Sequence, residues 1–234
     1  MVELYFDIMN IKPENYDSSD RDYFILSKGH AAPALYDILY RKGFITKTEF
    51  ETYGTNGTIL SEHPNNLIKG IEVSTGSLGH GLSIAAGIAY SNKISKKSKG
   101  KIFCIISDGE CQEGSVSEAA SFAGRMNLAN LVVIIDNNGL QGYERTENIQ
   151  NIDSVRQKFL ASGWAIREID GHDFTQMHTI FSNLPLESGK PSIFIANTIK
   201  GKGVKQMENK LEWHYKSPSD EQIDTFLNEI GEQK

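Results

Sequence analysis

Four short apolar runs mark the middle and the end of the chain: Lys101–Ser107 (KIFCIIS), Leu131–Asp136 (LVVIID), Trp164–Ile169 (WAIREI) and Ser192–Thr198 (SIFIANT). Their length and β-branched content predict strands, and their nearly continuous apolar character predicts strands covered on both faces. Segments with helical spacing lie between or after them, at Val116–Met126, Ser154–Ser162 and Phe174–Asn183. Strand, helix and strand alternating at these lengths imply right-handed crossovers, so the expected class is α/β: a parallel sheet flanked by helices on both faces. Further helices are expected upstream at Pro33–Arg41 and Leu78–Ile94, the second rich in Gly and Ala and so suited to close packing. A last helix is expected at Ser219–Asn228, where Ser219 and Gln222 have capping-box spacing.

Composition narrows the function classes. The 234 residues suffice for one sizeable core, and no repeat, low-complexity tract or long linker divides residues 1–234, so a single domain is expected. A net charge of -6 disfavours duplex nucleic acid or an anionic membrane as the main partner. The basic run Lys93–Lys101 reads as a solvated connection into the first of the four strands. No apolar stretch approaches the roughly 20 residues that cross a bilayer, and no signal peptide is visible. Cys104 and Cys111 are too few for a disulfide framework, so a reducing, cytoplasmic location is expected. The glycines are concentrated: 11 of 21 lie between Gly70 and Gly142.

Ligands of open parallel sheets bind beyond the carboxyl ends of the strands. The run Lys101–Ser107 leads into Asp108-Gly109-Glu110, and the next run ends in Asp136-Asn137-Asn138-Gly139. The Asp108 carboxylate, the Asn138 amide oxygen and the Leu140 carbonyl would be hard oxygen donors, incomplete on their own and suited to Mg²⁺ completed by phosphate oxygens and water. Gly109 permits close backbone approach, and a helix starting near Gly114-Ser115 would aim its positive end into the same space. Either turn alone is also what an ordinary strand end would show.

Asp108-Gly109 followed by Asn138, thirty residues after the Asp, resembles the thiamine diphosphate signature, with Ser107 where a Gly usually stands. More of the chain follows one branch of that superfamily: SKGHAAPALY (27–36), EHP (62–64), STGSLGHGLS (74–83), SDGECQEGSVSEA (107–119), IDNNGL (135–140), DGHD (170–173), and TIKGKG followed by EWH (198–214). Together these are similar to the N-terminal, diphosphate-binding half of a transketolase, in the form encoded as two chains.

The resemblance implies thiamine diphosphate as cofactor, with Mg²⁺ or another divalent cation such as Ca²⁺ or Mn²⁺ held by Asp108, Asn138 and the Leu140 carbonyl. It places Gly109, Glu110 and Asn138 at the diphosphate and Gly76, Ser77 and Leu78 at the aminopyrimidine. It gives catalytic roles to His30, His63 and His214: His30 near the thiazolium and substrate, His63 at the donor's first hydroxyl groups, and His214, paired with Lys200, near diphosphate and substrate. Glu113 matches a Glu that links cofactor sites across a subunit interface. His80 stands where many transketolases carry Gln, while His172 and His178 read as structural. Asp108→Ala is expected to abolish metal-dependent cofactor binding with the fold intact.

The implied reaction is transfer of a two-carbon ketol unit from a ketose phosphate to an aldose phosphate. The Glu that contacts the aminopyrimidine in this family lies on a second, pyrimidine-binding domain, so the expected partner is a C-terminal transketolase subunit in an α₂β₂ assembly, without which this chain is inactive. Family members carry an initial helix and a Ser-Gly-His-Pro-Gly motif ahead of a YFDIMN-like segment, whereas this chain opens at Val2-Glu3-Leu4-Tyr5-Phe6, inside the equivalent helix. Either the true start lies upstream or this is a shortened cofactor-binding paralogue without turnover; an enzyme of a specialised sugar pathway also stands beside ordinary sugar-phosphate chemistry, since the residues that read the acceptor lie on the other subunit. The α chain of a 2-oxo acid dehydrogenase fits the SKGHAAP, EHP and TGSLGHG segments less well. Gly76-x-x-Gly79-x-Gly81 is not the nicotinamide-binding GxGxxG.

Overall fold

The computed structural model describes residues 1–96 and 98–231. Lys97, within the basic run, lies outside the described residues. Among those residues the strands are β1 (Tyr23–Leu26), β2 (Ile102–Ser107), β3 (Leu131–Asn137), β4 (Ala165–Asp170) and β5 (Ser192–Asn197). They form one parallel sheet in the order β1-β2-β3-β5-β4. The α-helices are α1 (Ala32–Lys42), α2 (Lys47–Phe50), α3 (His80–Ser95), α4 (Gly114–Arg125), α5 (Thr146–Ile149), α6 (Ile152–Ala161), α7 (Phe174–Phe181) and α8 (Asp220–Gly231). The expected fold class is the observed one, and the four strand runs of the sequence fall on β2 to β5.

The two-residue period of a strand sorts its side chains into two layers. Phe103 and Ile105 of β2, Val132 and Ile134 of β3 and Phe194 of β5 share one core with α1, α7 and the N-terminal turn Leu4–Ile8. Cys104 and Ile106, Val133 and Ile135, and Ile193 and Ile195 point the other way, into a core with α3, α4 and α6. Alanines 85, 86 and 89 of α3 and 119, 120 and 123 of α4 are buried there, and their small side chains let the two helices approach. Trp164 closes this core, its indole N–H donating to the Ala120 carbonyl at 2.8 Å.

The handedness of crossovers explains the faces taken by α3, α4, α6 and α7. From β1 to β4 the chain advances across the sheet in one direction, and α3, α4 and α6 cover one face. β5 then inserts between β3 and β4, the direction reverses, and α7 lies on the other face.

Two expectations are corrected. β4 is an edge strand: Arg167 and Glu168 are exposed, so it is not covered on both faces as its apolar neighbours are. β1 is the opposite edge, a four-residue run too short to stand out beside the motif that follows it. α3 begins at His80 rather than Leu78, because Gly79 in the left-handed region (φ 84°) forms its N-terminal boundary. No helix among the described residues is long and apolar enough to cross a membrane.

Candidate active site

The register of the sheet builds the site. Ser107 pairs with Asp136 at the carboxyl ends of β2 and β3, and the Asp108 N–H donates to the Asp136 carbonyl at 3.3 Å. Asn137 pairs with Asn197 on β5, which brings Thr198 to the same end. A cavity of about 970 Å³ opens there. Of the residues that the resemblance assigns to cofactor, metal or chemistry, all but Ser77 and His63 lie on its wall.

Asp108 is fully buried, and its carboxylate ties two segments together. Oδ1 accepts from the Gly109 N–H at 2.8 Å, while Oδ2 accepts from the Gly139 N–H at 3.1 Å and the Thr146 hydroxyl at 2.7 Å. Burial raises the Asp108 pKa, against the pull of those donors. Three of the roughly four acceptor positions of a carboxylate are thus used, leaving one on Oδ1 for a cation. Asn138 Oδ1 accepts from the Leu140 N–H at 3.0 Å and keeps a second lone pair. Among the described residues no three His, Cys, Asp or Glu side chains are grouped to hold a metal. An ion at Asp108 would therefore depend on amide, carbonyl, phosphate and water oxygens, a donor set that fits Mg²⁺.

Glu110 has no exposed surface and serves the backbone of the site. It accepts from the Ser27 hydroxyl, from the Gly79 N–H at 2.7 Å and from the Ser107 N–H at 3.3 Å, joining three motifs that are far apart in sequence. Gly81 is forced by this junction, since a Cβ there would run into Ser27, 2.7 Å from its Cα. Gly76, with φ 157°, sits against the His63 ring, and a Cβ on Gly29 would meet the Gly76 nitrogen at 2.8 Å. The SKGH, EHP and STGSLGHG motifs therefore pack as one unit. His63 is exposed behind Gly76 rather than on the cavity wall.

Sequence reasoning missed the ion pair of Lys28 with Asp136, although both stand inside quoted motifs. Asp136 also accepts from the Thr198 hydroxyl and the Asn138 amide, so one carboxylate staples the ends of β1, β3 and β5. Burial pushes its pKa up, but Lys28 and these donors outweigh that and hold it below the usual range. Lys200 makes no ion pair among the described residues; burial and Lys28 lower its pKa. His30 and His214 have ring centroids 5.4 Å apart. Burial, then Lys28, His214 and Lys200, lower His30 to about 4, and burial and Lys200 lower His214. Both imidazoles are thus neutral at pH 7, beside two lysines. Such a place suits a polyanion whose charge is met by Lys and a cation.

The family described as the transketolase, thiamine diphosphate binding domain matches residues 1–233. The chain belongs to that family. This transketolase domain is 40% identical to one of the subunits of the apulose-4-phosphate transketolase of Phocaeicola vulgatus, over 99% of this chain and 82% of that protein. It is 38% identical to the 6-deoxy-6-sulfo-D-fructose transketolase subunit SqwG of a Clostridium species, over 92% of this chain and 78% of that one. The solved transketolase of Campylobacter jejuni superimposes with a TM-score of 0.88 at 28% identity, covering 98% of this chain and 37% of that chain. Human transketolase is 34% identical, and this chain again spans 37% of its length.

Proposed function

We propose that this transketolase domain is the diphosphate-binding subunit of a two-chain transketolase, which moves a two-carbon ketol unit from a ketose phosphate to an aldose phosphate. The observation that carries the reading is the convergence of Asp108, Asn138 and Leu140 with Lys200, His30 and His214 on one cavity. Asp108, Asn138 and the Leu140 carbonyl would hold Mg²⁺, or Ca²⁺ or Mn²⁺ in its place. Gly109, Asn138, Lys200 and His214 would bind the diphosphate, with Glu110 bracing that wall, and Gly76, Ser77 and Leu78 would meet the aminopyrimidine.

When bound, the cofactor supplies the carbon nucleophile that takes up and hands on the two-carbon unit. The chain's own residues position and polarise. Held neutral, His30 and His214 can each donate one N–H to a sugar hydroxyl or carbonyl oxygen and accept at the other nitrogen. Lys200 would offset anionic charge beside the diphosphate, and His63, exposed outside the cavity wall, would meet the donor's first hydroxyl groups from the open side.

The partner in this reading is a C-terminal, pyrimidine-binding transketolase subunit, in an α₂β₂ assembly that completes the active site. This chain covers 82% and 78% of the two relatives named as transketolase subunits, which supports it. The substrates in their names, apulose 4-phosphate and 6-deoxy-6-sulfo-D-fructose, favour a second reading in which a specialised sugar replaces the common pentose and hexose phosphates. A coupled ketol-transfer assay of the co-purified pair against several ketose phosphates tests both. Turnover of common ketose phosphates supports the first and turnover of a specialised ketose the second. Full activity from the lone chain would sink the two-chain proposal.

A further inference from the structure

We propose that Gln141 is a diphosphate ligand, its side-chain Nε2 donating to a phosphate oxygen seated over Gly109. The inference rests on the reading of the cavity as a thiamine diphosphate site, and it adds a residue that the family resemblance does not assign.

The first observation is an unmet donor. Gln141 lies on the cavity wall, and its Nε2 is buried with no hydrogen-bond partner. Leaving such a group unpaired costs about 1–3 kcal/mol, so its persistence at a binding cavity points to an acceptor brought by a ligand. The second observation is position. A Cβ built on Gly109 would meet Gln141 Cδ at 3.0 Å, Cγ at 3.1 Å and Oε1 at 3.3 Å, so the side chain is draped across that glycine. The carboxamide thus stands next to Asp108, where the cation and its bridged phosphate would sit.

The third observation is rigidity. Gln141 belongs to a tight hairpin in which Leu140 bridges Arg145 and the Gln141 N–H donates to the Glu144 carbonyl at 2.8 Å. The hairpin's base is pinned by Asp108 through Gly139 and Thr146. The carboxylate proposed to hold the metal therefore also fixes the loop that carries Gln141. A backbone held this way leaves only the side chain to be ordered on binding. Lys200, which makes no ion pair among the described residues, lines the same cavity, and with a cation held at Asp108 it would offset the carboxylates there and favour an anionic acceptor. Phosphate oxygen satisfies both the hydrogen bond and the charge.

Calorimetric titration of thiamine diphosphate and of inorganic pyrophosphate, each with Mg²⁺, into the co-purified two-chain complex carrying the wild-type, Gln141→Leu or Gln141→Glu chain tests the assignment, with melting curves as the control for folding. Gln141→Leu should weaken both ligands by the same factor, roughly tenfold or more, as loss of a hydrogen bond to a charged group does. Gln141→Glu, nearly isosteric but anionic, should weaken them further while melting close to wild type. Unchanged affinity in Gln141→Leu, or weakened thiamine diphosphate with unchanged pyrophosphate, overturns the assignment and leaves the cofactor reading standing. Absence of Mg²⁺-dependent binding of either ligand to wild type overturns both.

Discussion

Asp108→Ala should remove cofactor binding and also destabilise the fold, contrary to the expectation that it would leave the fold intact. The carboxylate accepts from two backbone N–H groups and the Thr146 hydroxyl, and the substitution leaves all three without an acceptor. Each buried orphan costs about 1–3 kcal/mol. The Thr146 hydroxyl can rotate, the two amides lie near the strand end where water can enter, and a desolvated carboxylate is removed at the same time. A net loss of about 2–4 kcal/mol follows, which for a chain of this size lowers the melting temperature by about 5–15 °C. Asp108→Asn retains one acceptor but turns an amide NH₂ toward other donors, so it should recover only part of the loss. Thr146→Val removes one contact, should cost about 1 kcal/mol, and should leave Mg²⁺-dependent binding largely in place. Thermal denaturation followed by circular dichroism is the assay. An Asp108→Ala protein melting within about 1 °C of wild type would refute the dual role.

Gly81→Ala forces a methyl group into Ser27 and through it disturbs Glu110; differential scanning calorimetry should show a loss of about 1–3 kcal/mol. Glu72→Gln unpairs Arg21, whose guanidinium lies between the Tyr16 and Tyr23 rings, and chemical denaturation should register a loss of about 3–5 kcal/mol. His30 is held near 4 in the fold and titrates near 6.5 when unfolded, so the unfolded chain binds the extra proton between those values. Its neutral form therefore favours the fold above about pH 6.5, and that contribution fades as pH falls toward 4. The melting temperature of His30→Gln should gain on wild type between pH 7 and pH 4.5; a constant difference would count against this protonation state.

The strands were legible because both faces of β2, β3 and β5 are buried, which writes an unbroken apolar run into the sequence. β1 was not, since four residues carry too little pattern, and β4 differed because an edge strand can expose Arg167 and Glu168. Among the site residues, Asp108 and Asn138 could be read from motif spacing. Lys28 with Asp136 could not, because an ion pair between residues 108 positions apart exists only once the register of the sheet sets it. Gln141 left no signal, since its meaning depends on the hairpin that turns it over Gly109. His63 shows the converse: its motif is plain in the sequence, yet its ring stands behind Gly76 and outside the cavity wall.

The late insertion of β5 matters to a chain emerging from the ribosome. β4 pairs with β5 and no other strand among the described residues, so once synthesised it has no sheet neighbour until residues 192–197 follow. During that interval its hydrogen-bonding edge is open to wrong partners, with Arg167 and Glu168 as charged deterrents. Thr198 reaches Asp136 only after the same event. A nascent chain halted before β5 can thus hold the Asp108 turn but not the closed cavity, so diphosphate affinity would report completion of the sheet.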